Sequence, residues 1–309
     1  MSRVHDAFRR ADKTEVLQPP APDTPGGPRE AAAPAAAPAP ARLNGNARPA
    51  EASDGKEAHS SVNGVSQPGF AKEMLGDVMV VPYNPAPESH LLDLENAAET
   101  PAEEFRTLRT RLNHLQTLQP LHTVVITSPS PAEGKTLTAA NLALAQSQIA
   151  EHSVLLADFD LRRPAVHTLL QLDRSPGLTD YLLGNCSFTQ ALRRVEGLGL
   201  YVLPAGSPVK NPLEILNLRQ VRQLFEELPR AFRWAIFDTP PLLFSADANL
   251  LATLADGTVL VVKIGSTTFD AVTRAMQSLC ENNVLGIVAN GARASELYSK
   301  YTYYYSKND

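Results

Sequence analysis

Six short apolar runs, each closing on a turn, constrain this chain more than any other feature. They are Thr123-Val124-Val125-Ile126, Val154-Leu155-Leu156-Ala157, Tyr201-Val202-Leu203, Trp234-Ala235-Ile236-Phe237, Gly257-Thr258-Val259-Leu260-Val261-Val262 and Leu285-Gly286-Ile287-Val288-Ala289. Unbroken apolar strands are those buried on both faces, which requires helices above and below the sheet. Helical patterns separate the runs, notably over 188–195, from Asn211-Pro212 to Leu228, and over 268–282. Strands alternating with helices predict an α/β fold: a doubly wound, mostly parallel sheet flanked by helices. Ligands of such sheets bind at the carboxyl ends of the strands.

The first run leads into Thr127-Ser128-Pro129-Ser130-Pro131-Ala132-Glu133-Gly134-Lys135-Thr136. Behind it Leu137, Ala140, Asn141, Leu144 and Ala145 share one helical face. Strand, tight loop ending Gly-Lys-Thr, then helix is the layout of a phosphate-binding loop, which makes the fold P-loop NTPase-like. Backbone N–H groups at such a helix start point at an anion, and the helix dipole favours negative charge there. Ser130, Pro131, Ala132, Glu133, Gly134, Lys135, Thr136 and Leu137 are therefore the candidate nucleotide-binding residues. Lys135 supplies a mobile positive charge, and the Thr136 hydroxyl can ligate Mg²⁺. The full motif would place its first Gly at Pro129, so Gly-Lys-Thr alone is a weak signal that gains weight from its flanks.

Carboxylates close two other runs. Asp158 and Asp160 follow one strand at spacing i, i+2, which puts alternate residues on one side of a strand. Two acids near a nucleotide invite Mg²⁺, although a helix cap plus a surface acid would look the same. Asp238 ends the run before Thr239-Pro240-Pro241, the Walker B position where a carboxylate organises Mg²⁺ and its waters. All three acids and the phosphate loop fall at the carboxyl ends of strands.

The rest of the chain is read from composition and pattern. Residues 1–14 carry Val4, Ala7, Phe8 and Ala11 on one helical face and form a short amphipathic helix. Nine of the 25 prolines lie in 19–50, so 15–97 reads as a Pro/Ala-rich disordered linker, with Val78-Met79-Val80-Val81 as an edge strand or linear motif within it. A globular domain over 98–292 opens with a helix over 99–117 whose other face is rich in Arg. A net charge of −5 argues against nucleic-acid binding. Cys186 and Cys280 show no metal-ligand spacing and read as reduced thiols of a cytoplasmic protein. No apolar run is long enough to span a bilayer and no leader is visible, so any membrane association comes through a partner. The last segment, 293–309, holds Tyr298, Tyr301, Tyr303, Tyr304 and Tyr305, five of the eight tyrosines. Phosphorylation there would add roughly −1.5 to −2 charges per tyrosine.

SPAEGKT (130–136), LLADFDLRRP (155–164), GLTDYL (177–182), LPAGSPVKNP (203–212), FDTPP (237–241) and the tyrosine tail together resemble the bacterial tyrosine autokinases (BY-kinases) of capsule and exopolysaccharide synthesis. The resemblance covers about 99–309. It implies an ATP- and Mg²⁺-dependent protein-tyrosine kinase domain over 98–292, with Walker A, A′ and B motifs at 128–136, 154–162 and 234–238. It implies Lys135, Asp158, Asp160 and Asp238 as catalytic residues, with Asp158 as base or orienting group, and Thr136, Asp160 and Asp238 at the metal. The tail tyrosines would be the phosphoacceptors, phosphorylated in trans. Glu103, Arg106 and Arg109 match an E-x₂-R-x₂-R oligomerisation motif, implying a homo-oligomeric ring. Further partners would be a separate transmembrane polysaccharide chain-length or co-polymerase activator protein and a cognate tyrosine phosphatase. The kinase would then sit peripherally at the inner face of the membrane. One departure is Ala132, where the family more often has Gly; it matters only where the backbone needs φ > 0.

Two rival readings come from other classes. A partitioning- or division-type switch ATPase would carry a second lysine five residues before Lys135, where this chain has Ser130. A non-catalytic nucleotide-binding assembly subunit is opposed by the three acids and Lys135.

Overall fold

The computed structural model describes residues 72–85, 89–92, 102–279 and 284–292, all within the unit Pro68–Asp309. The expected helix over 1–14, most of the expected linker, and the tail with Tyr298, Tyr301, Tyr303, Tyr304 and Tyr305 lie outside the described residues.

The strands are β1 (Met79–Val81), β2 (Thr123–Thr127), β3 (Val154–Asp158), β4 (Arg193–Val195), β5 (Leu200–Leu203), β6 (Trp234–Asp238), β7 (Gly257–Lys263) and β8 (Val284–Asn290). They form one sheet in the order β1-β4-β5-β3-β6-β2-β7-β8. The six strands expected from the apolar runs are parallel neighbours from β5 to β8. At the other edge β4 runs antiparallel to β5, and β1 runs with β4. The helices are α1 (Ala102–Leu118), α2 (Lys135–Ser147), α3 (Val166–Leu169), α4 (Leu178–Leu182), α5 (Phe188–Ala191), α6 (Pro212–Leu216), α7 (Arg219–Ala231), α8 (Ala246–Leu254) and α9 (Phe269–Ser278).

Strand alternation divides the core between the two faces. Val125, Leu155, Ala157, Leu203 and Phe237 pack with Phe159, Phe225 and Leu228 in one cluster. Val124, Ile126, Leu156, Val202 and Ile236 pack with the fully buried Ala139–Ala145 stretch of α2 in another. α1 lies over α2. Asn113 of α1 accepts hydrogen bonds from Trp234 Nε1 at 3.0 Å and Gln146 Nε2 at 3.1 Å. The buried indole N–H thereby finds the partner it needs.

Three expectations differ from the structure. The helix expected over 188–195 stops at Ala191, and Arg193–Val195 is strand β4. Arg193 is buried there because its guanidinium donates to the carbonyls of Gln190 and Leu192, each at 2.9 Å. The helix expected from Pro212 to Leu228 is two, α6 and α7, with Leu218 between them in an extended conformation. The linker does not run through to residue 97. Leu75, Val78 and Leu92 are buried, β1 joins the sheet, and the Leu92 N–H donates to Asn141 Oδ1 of α2 at 2.8 Å.

Candidate active site

The site forms where β2, β3 and β6 end side by side. β6 sits between the other two, so the loop leaving β2, Asp160 beyond the end of β3 and Asp238 at the end of β6 meet in one crevice. The exit of β6 is stitched beneath the phosphate loop: Thr239 N–H donates to the Ile126 carbonyl, Leu242 N–H to the Ser128 carbonyl, and Thr127 Oγ1 to the Pro240 carbonyl at 2.9 Å.

Within the loop, Ser130 N–H donates to Glu133 Oε2 at 2.9 Å, and Thr267 Oγ1 donates to Glu133 Oε1. The Glu133 side chain is thus buried as an internal brace of the loop. Ala132 has φ +61°, a left-handed conformation that favours glycine, so the departure noted in the sequence falls on a position where it carries strain. Gly134 has φ +95° and caps the start of α2. A side chain on Gly134 would collide with Asn290 Nδ2, which instead donates to the Glu133 carbonyl at 3.0 Å. Pro131 and Ala132 are exposed, and Ser130, Lys135, Thr136 and Leu137 are half-buried.

Lys135 Nζ donates to Asp160 Oδ2 at 2.9 Å, to Asp238 Oδ1 at 3.3 Å and to Thr136 Oγ1 at 3.2 Å. Burial alone would pull the ammonium's pKa down; the Asp238 and Asp160 carboxylates outweigh it and hold it above its usual value. Asp238 is fully buried, and burial pushes its pKa up to about 6 against the pull of Lys135 and Thr136. Its Oδ2 has no hydrogen-bond partner. A buried carboxylate oxygen without a partner is costly. A divalent cation at that oxygen, shared with Asp160 and the Thr136 hydroxyl, fits the donor set: Mg²⁺ is commonly held by one or two carboxylates plus phosphates and waters. Among the described residues no three His, Cys, Asp or Glu side chains form a cage that could hold a metal unaided.

Asp158 does not share the crevice in the way the i, i+2 spacing predicts. β3 ends at Asp158, so strand alternation stops before Asp160. Asp158 is fully buried: Oδ1 accepts from Asp160 N–H at 3.1 Å, and Oδ2 from the N–H groups of Ala165 and Val166 at 3.0 and 3.1 Å. Burial, and after it the Asp238 charge, pushes its pKa well up. This geometry suits a group that orients the loop carrying Asp160, not a base open to a substrate. Asp160 Oδ1 accepts from Arg163 N–H at 3.0 Å, leaving Oδ2 for Lys135.

Two sequence motifs turn out to brace each other. Asp180 Oδ2 accepts from Gly177 N–H and Ser207 N–H, and Thr179 Oγ1 donates to the Ser207 carbonyl at 2.7 Å. Gly206 lies so close to Thr179 and Asp180 that no side chain fits there. On α1, Glu103 and Arg106 form an exposed 3.4 Å ion pair, whereas Arg109 Nη1 donates to the Ala145 carbonyl of α2 at 2.8 Å. Sequence reasoning missed Asp247, Asn290 and Thr267. Each contacts the site's loops from a distant segment, and no local pattern marks such a contact.

Comparison with known proteins adds a second line of support. No family model matches the chain. The chain is 40% identical over 210 residues to the tyrosine-protein kinase YwqD of Bacillus subtilis (strain 168), spanning 67% of this chain and 88% of that protein. The structure superposes on that of the chimerical protein CapA2B2 with a TM-score of 0.62 and 28% identity, covering 71% of this chain and 96% of the other. It also superposes on the kinase domain of the Escherichia coli tyrosine kinase ETK with a TM-score of 0.60 and 29% identity, covering 72% and 94%.

Proposed function

The chain belongs to the bacterial tyrosine-protein kinases, and we propose that it phosphorylates, with ATP and Mg²⁺, the C-terminal tyrosine cluster of a neighbouring copy. The observation that carries this reading is the convergence of Lys135 on Asp160 and Asp238 beside Thr136 at the mouth of the phosphate loop. The two carboxylates hold the lysine charge in the crevice, where it can also meet phosphate oxygens. Thr136, Asp160 and Asp238 would hold Mg²⁺. Bound Mg·ATP supplies the transferable phosphoryl group and neutralises charge on it. Lys135 draws the β and γ phosphates to the start of α2. The loop N–H groups from Ala132 to Leu137 cradle them, while the Ser130 N–H stays on Glu133. Asp158 keeps the 160–165 loop in place. Tyr298, Tyr301, Tyr303, Tyr304 and Tyr305 are the acceptors, in no order the sequence ranks.

Glu103 and Arg106 would contact a neighbouring subunit of a ring, with Arg109 holding their helix on α2. Accumulated phosphate on the tail would loosen that ring, and the cycle would regulate exopolysaccharide or capsule polymerisation and export. A transmembrane activator would bring the kinase to the inner membrane face, and a cognate phosphatase would reset it. Among the described residues no helix is long and apolar enough to cross a membrane.

The test mixes two full-length chains: Lys135→Met with an intact tail, and wild type with all five tail tyrosines replaced by Phe. With ATP and Mg²⁺, phosphotyrosine is expected on the Lys135→Met chain alone. Its absence there, with the activator segment supplied and the unmodified chain equally silent, ends the reading.

A further inference from the structure

β8 closes the sheet at the edge opposite β1, and the two edges are unlike. β1 is three residues long, the short form in which an edge strand invites little pairing. β8 runs for seven residues, Val-Leu-Gly-Ile-Val-Ala-Asn, with no charge and no proline to blunt it. Every residue of β2, β3 and β6 is buried, whereas every residue of β8 is half-buried or exposed, Ile287 at 37%. Among the described residues only β7 pairs with it. In a strand with one neighbour, alternate N–H and C=O groups point outward unpaired, and a long apolar edge of this kind is a template for a further strand.

The chain turns where β8 ends. Asn290-Gly291 is a turn-forming dipeptide. Gly291 has φ +75°, a left-handed backbone at which the extended course cannot continue. Its N–H donates to Asn290 Oδ1 at 2.8 Å, and the Asn290 carbonyl accepts from Ile264 N–H at 2.9 Å, so the turn is held on both sides. Residues 293–309 follow, more than twice the length of β8. Tyr and Thr, which dominate that segment, are strand-favouring residues. In a strand Leu297, Tyr301, Tyr303 and Tyr305 share one face, which suits the half-covered apolar residues of β8, while Lys300 and Thr302 fall on the other.

We propose that the unphosphorylated tail of each chain folds back onto the open edge of its own β8 as an added antiparallel strand, and that this parking withholds its tyrosines from a neighbour's active site. The withholding rests on the tail-acceptor reading; the docking does not. The tether is only a few residues long, so the effective concentration of the tail at the edge is in the millimolar range and weak main-chain pairing suffices. Each phosphate adds roughly −1.5 to −2 charges. Phosphates on alternate residues of one strand face repel each other and meet an apolar surface, so a modified tail leaves the edge.

The test uses full-length chains without ATP and reads hydrogen exchange of the amides of 284–290. Two variants oppose docking from either side. Ser299→Pro with Thr302→Pro removes ladder donors and leaves every tyrosine in place. Ile287→Lys puts a charge on the edge and leaves the tail untouched. Melting curves check that both are folded. Wild type is expected to exchange its outward β8 amides at least about tenfold more slowly than either variant, independently of protein concentration. Equal exchange in all three chains would overturn the docking. So would protection that grows with concentration, which would put a second copy at the edge. The withholding is read by adding Ile287→Lys to the Lys135→Met acceptor. Its tail should be phosphorylated about threefold faster or more, in proportion to the tail set free; an unchanged rate would strike the withholding. A wild-type chain that phosphorylates no tail would end the tail-acceptor reading, while the exchange comparison still decides the docking.

Discussion

Asn290, the last residue of β8, donates its side-chain amide to the Glu133 carbonyl at 3.0 Å and accepts from Gly291 N–H at 2.8 Å. The final strand of the sheet and the phosphate loop are therefore tied by a side chain fixed at both ends. That side chain fills the space beside Gly134. Gly134→Ala should weaken ATP binding at least about tenfold, because it adds a collision to a left-handed backbone that costs about 1–2 kcal/mol for any other residue. Asn290→Ala in the same chain should recover only part of the loss, since the backbone cost stays. A fluorescent-nucleotide titration of the single and double variants checks this; full recovery would mean that strain at Gly134 is irrelevant.

Ala132 carries the opposite prediction. At φ +61° it bears left-handed strain that glycine would relieve. Some of the gain is returned through the greater freedom of glycine in the unfolded chain. Ala132→Gly should stabilise the protein by roughly 0.5–1 kcal/mol, read as a higher melting temperature. A lower one would contradict the conformation described for the loop.

Asp238 makes stability depend on pH. Its folded pKa, pushed up to about 6, lies above the value of about 3.9 for an unperturbed aspartate. The folded chain therefore binds this proton more tightly than the unfolded chain does. The stabilisation it gives is complete below the unfolded value and is lost as pH rises through about 6. Without nucleotide, Asp238→Asn should gain on wild type by about 2 kcal/mol between pH 4 and pH 8. Mg·ATP affinity of the wild type should rise with pH from about 5 to 7, and the variant should show no such rise. Denaturant melts and nucleotide titrations across that range measure both.

Arg109 and Arg106, three residues apart on α1, should separate stability from assembly. Arg109 donates to the Ala145 carbonyl near the end of α2, while the Arg106 side chain pairs with the exposed Glu103. Arg109→Ala should cost about 1 kcal/mol of stability through the lost hydrogen bond. Arg106→Ala should leave stability within about 0.5 kcal/mol, as exposed ion pairs contribute little. If α1 builds a ring, both variants should reduce it, seen as a smaller particle by light scattering.

What could be read from the sequence follows from how each element is buried. The six parallel strands were visible because strands covered on both faces are unbroken apolar runs. β4 was hidden because Arg-Arg-Val, one strand in from the sheet edge, has no such run, and its buried Arg193 is satisfied by backbone carbonyls. The break between α6 and α7 carries neither Gly nor Pro, and Pro229 sits inside the last turn of α7, so composition misplaced both ends. Asp160 and Asp238 are legible because each closely follows an apolar run, and Lys135 and Thr136 because they stand in the Gly-Lys-Thr of a strand–loop–helix stretch. Asp158 was found but its surroundings were not, because the three backbone donors that enclose it follow the strand. Arg162 stood in a quoted motif, but its bond to the buried Asp247 was not legible, since that partner is 85 residues away.

The strand order also has a consequence for synthesis. β2, which carries the loop, and β3, which carries the next acid, are both made before β6 yet are not neighbours; β6 lies between them in the finished sheet. A ribosome that has finished Asp160 has therefore made most of the ligand-binding atoms and none of the site. On the function proposed above, the set of groups that meets ATP is complete only once Asp238 has cleared the exit tunnel. A half-made kinase is chemically silent by virtue of its topology, with no inhibitor required.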